Sequence, residues 1–331
     1  MTRDARRVLV TGAAGFLGSH IAEACARAGH EVQTLDAFLD NYDPEVKRRN
    51  VVEMAARRPG LAPVAEIDLR DPRALHDAMG RWRPEIVVHC AALAGIRPSL
   101  QRPARYSEHN VTATINLLEA MRSVGCGKLV FASSSSVYGS DAPVPFTEDH
   151  PAVRPASPYA ATKRACELLL HTYADLYDLD YLALRFFTVY GPRQRPDLAI
   201  HKFTAAILQA RPITLYGDGS SSRDYTHVDD VVAGVMSAVA HVADTDGVRE
   251  IVNLGSAAPT LLRDLVAMIE KACGREALIQ WRPDQPGDVP RTYADLAKAE
   301  RLLGYAPQRD LVEGIEDFVA WWRLRFMPTA R

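Results

Sequence analysis

The sequence predicts an α/β protein: helices covering both faces of a doubly wound parallel sheet, followed by a smaller mixed α/β C-terminal lobe. Three observations carry that prediction. Short β-branched runs alternate with helical patterns through residues 1–190, the first run ends in a glycine-rich turn, and an acid stands at the end of the second. The 331 residues suffice for one large domain or two smaller ones. The expected division is 1–190 and 191–331, with some of the later chain returning to the first unit.

Val8-Leu9-Val10 suits a buried parallel strand and runs into Thr11-Gly12-Ala13-Ala14-Gly15-Phe16-Leu17-Gly18. Residues 19–28 then read as a helix stopped by Gly29. Strand, glycine turn and helix N-terminus together form a cradle for a pyrophosphate. The glycines admit a close backbone approach, and free N–H groups with the helix dipole meet the charge. The spacing is G-x-x-x-G-x-x-G rather than G-x-G-x-x-G, and its position between strand and helix gives it weight. Residues 31–35 form the next strand, ended by Asp36. A carboxylate there accepts from both adenosine ribose hydroxyls and repels a 2′-phosphate, which favours NAD over NADP.

The alternation continues with a helix at 45–57, a strand at 64–67, a helix at Pro72–Trp82 and a strand at Ile86–His89. Asp68 follows the third strand, where reaching the adenine and capping a helix are equal readings. Ala91-Ala92-Leu93-Ala94-Gly95 follows the fourth, and its small side chains leave room for a cofactor to cross the strand ends. Two long helices come next, at 103–124 and 157–177, separated by a strand at 128–132 and followed by one at 182–186. The strand at 128–132 delivers Ser133-Ser134-Ser135-Ser136. The second helix carries Tyr159 and Lys163, one turn apart on one face. An ammonium beside a phenol favours the phenolate, and a tyrosine so placed can take or return a hydroxyl proton. By itself a Y-x-x-x-K pair more often marks a solvated helix face. The nucleotide cradle upstream reverses that weighting.

After Gly191 the pattern loosens. Arg193, Arg195, Arg211 and Arg223 are spread through a stretch with proline turns and Gly217-Asp218-Gly219. Helices follow near 228–242, 261–273, 296–303 and 311–325, with a polar loop at 285–291. A lobe closing a substrate cleft over the sheet edge is the expected arrangement. The net charge of −2 argues against nucleic acid as a partner. Five dispersed cysteines, with no C-x-x-C pair or histidine cluster, read as reduced thiols without a metal site. A polar start and the lack of an 18-residue apolar run predict a soluble, cytoplasmic protein with no membrane partner.

These residues resemble the extended short-chain dehydrogenase/reductases, the nucleotide-sugar epimerases and dehydratases built on a Rossmann-type sheet. The likeness is carried by Thr11–Gly18, Asp36, Ala91-Ala92, Ser133 through Val137-Tyr138-Gly139, Tyr159 with Lys163, Arg223-Asp224 and residues 287–291. It implies a proton-transfer triad of Ser134, Tyr159 and Lys163, with Lys163 also holding the nicotinamide ribose. Tightly bound, recycled NAD would contact Gly12, Gly15, Phe16, Leu17, Gly18, Asp36, Asp68, Leu69, Ala91, Ala92, Ala94 and Asn110.

Within the family, Asn41-Tyr42-Asp43-Pro44, Ala94 through Ser99 and Arg185 through Asp197 are most similar to the group that epimerises UDP-hexuronic acids at carbon 4. The likeness implies conversion of UDP-glucuronate to UDP-galacturonate through a 4-keto intermediate without loss of carbon dioxide. Thr188 and Arg195 would grip the sugar carboxylate, and a planar guanidinium matches a carboxylate in two hydrogen bonds. Arg97, Ser134, Ser135, Ser136 and Arg193 would also contact the substrate. Lys202, Phe203, Tyr216, Arg223 and Arg291 would serve the UDP. A homodimer through the two long helices is implied as well. Asp36-Ala37-Phe38-Leu39 departs from the Asp-Asn-Phe-Asn common among related epimerases, which removes two polar groups near the adenosine ribose.

Three other activities are weighed at the same positions. Dehydratases need an Asp-Glu pair where Ser135-Ser136 stand, and UDP-xylose-forming decarboxylases a glutamate at 136. A UDP-glucose/UDP-galactose 4-epimerase shares the whole triad and is the alternative. A non-catalytic NAD sensor on the same fold would be expected to lack the tyrosine or the lysine, and both are present.

Overall fold

Seven parallel strands form the central sheet of the computed structural model, which describes residues 5–284 and 289–327. They are β1 (Arg7–Thr11), β2 (Glu31–Asp36), β3 (Ala65–Glu66), β4 (Ile86–His89), β5 (Lys128–Ser134), β6 (Asp180–Phe186) and β10 (Arg249–Leu254). Their order is β10-β6-β5-β4-β1-β2-β3. Sequence order therefore reverses between β1 and β4, which opens a crevice at their carboxyl ends.

Alternation along the strands builds a core on each face. Val8 and Val10 join Ile21 of α1 (Phe16–Arg27) and Val231 and Val235 of α9 (Val228–Asp244). Leu9 points the other way, to Leu75 of α3 (Pro72–Trp82), Leu117 of α6 (Ala113–Val124) and Leu170 of α7 (Pro158–Tyr177). The helix α2 (Pro44–Arg57) flanks α1, and α11 (Ala297–Leu303) flanks α9.

The remaining elements make the lobe. One small sheet joins β7 (Thr188–Tyr190), β9 (Ser222–His227) and β11 (Pro259–Leu261), and another pairs β8 (Ile213–Tyr216) with β12 (Ile279–Arg282). Around them α8 (Ala199–Leu208), α10 (Leu262–Cys273) and α12 (Leu311–Phe326) enclose Phe203, Leu215, Ile269, Phe318 and Trp322. Asp224 is fully buried and locks the lobe's loops. Its carboxylate accepts from the backbone N–H of Ser256, Ala257 and Ala294 and from the Ser256 hydroxyl, at 2.7–3.1 Å.

Several local expectations are corrected. The first helix begins at Phe16, three residues earlier than the pattern suggested, directly behind Gly15. The third strand shrinks to two residues at the sheet edge. The long helix at 103–124 is broken into α5 (Pro103–Tyr106), a π-helical stretch Ser107–Thr112, and α6, after a short α4 (Ile96–Gln101). The helix α8 was not expected; Ile200, Phe203 and Ile207 form its buried stripe at helical spacing, masked by the surrounding arginines and prolines. Residues 285–288 of the polar loop at 285–291 lie outside the described residues.

Candidate active site

A cavity of about 610 Å³ runs from the glycine turn, across the carboxyl ends of β1 and β4, into the lobe. At its first end the glycines serve the chain itself. Gly12 has φ +71°, and a Cβ there would lie 2.7 Å from the Ala91 backbone nitrogen; a Cβ on Gly18 would overlap the Gly12 carbonyl. The turn thus folds onto its own helix and against β4, leaving Gly15, Phe16 and Leu17 on the cavity wall. His89 hydrogen-bonds Thr11 Oγ1 at 2.7 Å and Thr114 Oγ1 at 3.1 Å beneath this turn. Burial, with Lys163 nearby, pushes its pKa down to about 3.

Asp36 accepts from the Ala14 N–H at 3.0 Å and the Phe38 N–H at 2.7 Å, and it lines the same cavity. Burial pushes its carboxyl above the usual range, against the pull of Lys47. Lys47 is one group that the sequence reading missed. It is 6% exposed, and its ammonium donates to the Leu39 carbonyl at 2.7 Å and Asn41 Oδ1 at 2.9 Å. The signal was present: Lys47, Asn50 and Met54 form the buried stripe of α2, and two of those three are polar.

Asp68 and Leu69 reach the cavity, but Asp71, not Asp68, caps α3, accepting from Arg73 and Ala74. Asp68 instead takes the Arg70 guanidinium at 2.7 Å. Ala91, Ala92 and Ala94 line the crossing. Asn110 does not line it. Its amide bonds both backbone groups of Leu93, at 2.7 and 3.0 Å, and Thr162 Oγ1 at 2.9 Å, so it braces the alanine loop from behind.

At the middle, Ser134 ends β5 while Tyr159 and Lys163 occupy the first turns of α7, which Ser157 caps. All three line the cavity. Lys163 donates to the Ala132 carbonyl at 2.7 Å. Ser134 Oγ donates to Ser136 Oγ at 3.1 Å and accepts from the Ser136 N–H. Ser135 opens the 3-10 turn Ser135–Tyr138, between the wall residues Ser134 and Ser136. One further turn along α7 stands Glu167, also missed. It is 1% exposed, accepts from Ser133 Oγ at 2.6 Å, and holds Arg185 through two bonds at 2.9 and 2.8 Å. It fastens the Tyr159–Lys163 stripe to β5 and β6.

At the lobe end Thr188, Arg195, Lys202, Phe203 and Arg223 line the cavity, and Arg97 stacks 4.3 Å over the Tyr216 ring. One expected substrate contact is corrected. Arg193 is 1% exposed, faces away from the cavity and pairs with Glu23 of α1 at 2.5 Å and Glu53 of α2 at 3.3 Å. Arg291 is exposed over the Tyr293 ring and bridges to Ser222, beside Arg223 on the cavity wall. Arg195 faces Asp197 in a two-bond pair, and its Nη2 donates to the Ala94 carbonyl at 3.2 Å. Tyr106 Oη donates to that same carbonyl, and its ring meets Tyr159 edge-on at 6.3 Å. A nucleotide turn, a Tyr/Lys pair and a cationic far end share one cleft.

The family model for the NAD dependent epimerase/dehydratase family matches residues 8–255. The chain belongs to that family. The match takes in the glycine turn, the Tyr159–Lys163 pair and Arg195, while Arg291 lies beyond it. The chain is 39% identical over 332 residues to a probable UDP-glucuronate 4-epimerase of Rhizobium meliloti (strain 1021), covering 96% of each chain. It is 38% identical to a UDP-glucuronate 4-epimerase of Thermodesulfobacterium geofontis, covering 95% of each. Among solved structures it superposes on the UDP-glucuronic acid 4-epimerase of Bacillus cereus, a complex with UDP-glucuronic acid and NAD. The TM-score is 0.88 at 32% identity, over 97% of this chain and 100% of that one. A UDP-glucose 4-epimerase of Thermus thermophilus in complex with NAD gives 0.85 at 36% identity, over 96% and 99%. Among the described residues no helix is long and apolar enough to cross a membrane.

Proposed function

We propose that this family member is an NAD-dependent 4-epimerase of a UDP-hexuronic acid, interconverting UDP-glucuronate and UDP-galacturonate. One observation carries the choice: Arg195 and Thr188 line the same cavity as Tyr159 and Lys163, and the Arg195 guanidinium is anchored on the Ala94 carbonyl, which also accepts from Tyr106, the edge-on neighbour of Tyr159. The residues around that turn fit the dinucleotide. The cradle leaves no room for side chains at Gly12 and Gly18, and the Asp36 carboxylate stands where ribose hydroxyls would donate to it. NAD, when bound, supplies the acceptor and donor of hydride at sugar carbon 4.

The chain's own residues do the rest. Tyr159 takes the proton of the 4-hydroxyl as general base and returns it as acid. Ser134 hydrogen-bonds that hydroxyl, and Lys163, tethered to the Ala132 carbonyl, supports the phenolate and the nicotinamide ribose. The 4-keto sugar is a β-keto acid and loses carbon dioxide when the breaking bond aligns with the carbonyl π system. Thr188 and Arg195 hold the carboxylate out of that alignment while the sugar turns over. Lys202, Phe203, Arg223 and the stacked Arg97–Tyr216 pair take the UDP, supported by their place on the lobe wall.

In this reading residues 1–190, completed by β10, form the NAD-binding body, and most of 191–331 forms the UDP-sugar lobe. The protein works in the cytoplasm as a homodimer through α6 and α7; the outward Leu168, Leu176 and Tyr177 of α7 support that surface. The test is proton NMR of the anomeric signals after adding UDP-glucuronate to purified protein without added NAD. Growth of UDP-galacturonate to a stable mixture is expected. UDP-pentose would show a decarboxylase, and turnover of UDP-glucose alone would show a UDP-glucose/UDP-galactose 4-epimerase.

A further inference from the structure

Arg195 carries five N–H donors, and in this structure three are taken. Nε donates to Asp197 Oδ1 at 2.9 Å, and Nη2 donates to Asp197 Oδ2 at 2.5 Å and to the Ala94 carbonyl at 3.2 Å. Only Nη1 is left, and its two hydrogens do not make a fork. A second carboxylate therefore cannot be held through two nitrogens unless Asp197 or Ala94 yields. Asp197 is the movable partner: its side chain is 40% exposed against 15% for Arg195, whereas the Ala94 carbonyl also accepts from Tyr106. The Leu198 N–H bonds the Arg195 carbonyl at 3.2 Å, so Arg195-Pro196-Asp197-Leu198 is a tight turn. It keeps the aspartate within reach of the guanidinium after the two part.

Resting on the function proposed above, we propose that Asp197 is an exchangeable internal carboxylate that sets the enzyme's choice between charged and neutral sugars. In the free enzyme it satisfies a guanidinium that would otherwise stand unpaired and largely desolvated. A uronate takes over the fork and sends Asp197 to solvent. A neutral hexose leaves the pair as it is. Asp197 thus lowers the advantage of a uronate over a hexose, because the uronate must displace an equal partner.

The test compares dissociation constants for UDP-glucuronate and UDP-glucose by calorimetry, on NAD-loaded enzyme in a Tyr159→Phe background that stops turnover. Both constants come from one preparation, so any loss of folded protein cancels in their ratio. Asp197→Asn and Asp197→Ala are expected to raise the preference for UDP-glucuronate about tenfold, the scale of one charge-assisted hydrogen bond gained. Asp197→Glu, which keeps a carboxylate, is expected to return it close to the starting value. A preference that stays put or falls in the Asn and Ala variants overturns the proposal, since Asp197 would then brace Arg195 against the substrate. Arg195→Ala separates the two levels. If it abolishes the uronate preference while Asp197→Asn does not raise it, only the exchange is wrong; if it leaves the preference intact, the carboxylate clamp is wrong and the exchange falls with it.

Discussion

Arg193 and Glu23 form a buried ion pair that joins the loop leading to Arg195 to the helix that starts at the nucleotide turn. The arginine backbone sits at φ +64° and its side chain is fully enclosed, so the pair holds a strained loop in place. Glu53 completes the cluster, pairing with Arg193, Arg57 and Arg325 of the C-terminal helix.

Removing one partner leaves the other charge buried. Arg193→Met is expected to cost about 3–5 kcal/mol of stability, read as a lower urea midpoint. Replacing both Arg193 and Glu23 by apolar residues is expected to recover part of that loss. A single variant as stable as the parent would show the pair to be incidental.

Tyr159→Phe removes the proposed proton acceptor and little else, because its ring contact with Tyr106 survives. The expected result is a kcat lower by about 10²–10⁴-fold, with UDP-sugar binding retained in calorimetry. Lys163→Met is expected to lose activity on the same scale.

Cutting the proposed carboxylate clamp is expected to change the product. Arg195→Ala is expected to raise KM for UDP-glucuronate about tenfold or more and to let carbon dioxide escape, giving UDP-pentose signals by NMR. Thr188→Val is expected to do the same more weakly. Turnover without pentose in both variants would assign the restraint of the carboxylate elsewhere.

Acid acts through His89. The unfolded chain takes a proton on this histidine near pH 6.5, whereas burial delays protonation in the folded protein to about pH 3. The unfolded state therefore binds more protons throughout that window, and stability falls as pH drops from 6.5 towards 3, by on the order of 3–5 kcal/mol. His20, pushed down to about 4 chiefly by burial, adds to the same slope. Urea midpoints of the parent and His89→Gln, taken from pH 7 to 4, are expected to show a shallower decline in the variant.

Much of the candidate site was legible because its signals are local. A turn that must double back on a helix needs glycine within a few residues, and a Tyr/Lys pair four apart must share a face. The acid ending β2 and the alternation of strands and helices are readable for the same reason. Short-range conformational rules act on neighbours, and neighbours are what a sequence displays.

Other assignments waited for the fold. Arg193 and Arg195 stand two residues apart in one motif and look alike on paper, yet Glu23, 170 residues earlier, draws the first into the core, while the second reaches the cleft. Glu167 is one more acid on a helix until β5 and β6 bring Ser133 and Arg185 to it. Lys47 looks like an ordinary surface lysine until the chain folds it over Asn41. The sequence by itself determined the parallel sheet, the nucleotide turn and the Tyr/Lys pair on one helix face. The tertiary structure alone decided which charges are buried and which face substrate, because the free energy of a charge depends on groups that meet it only once the chain has folded.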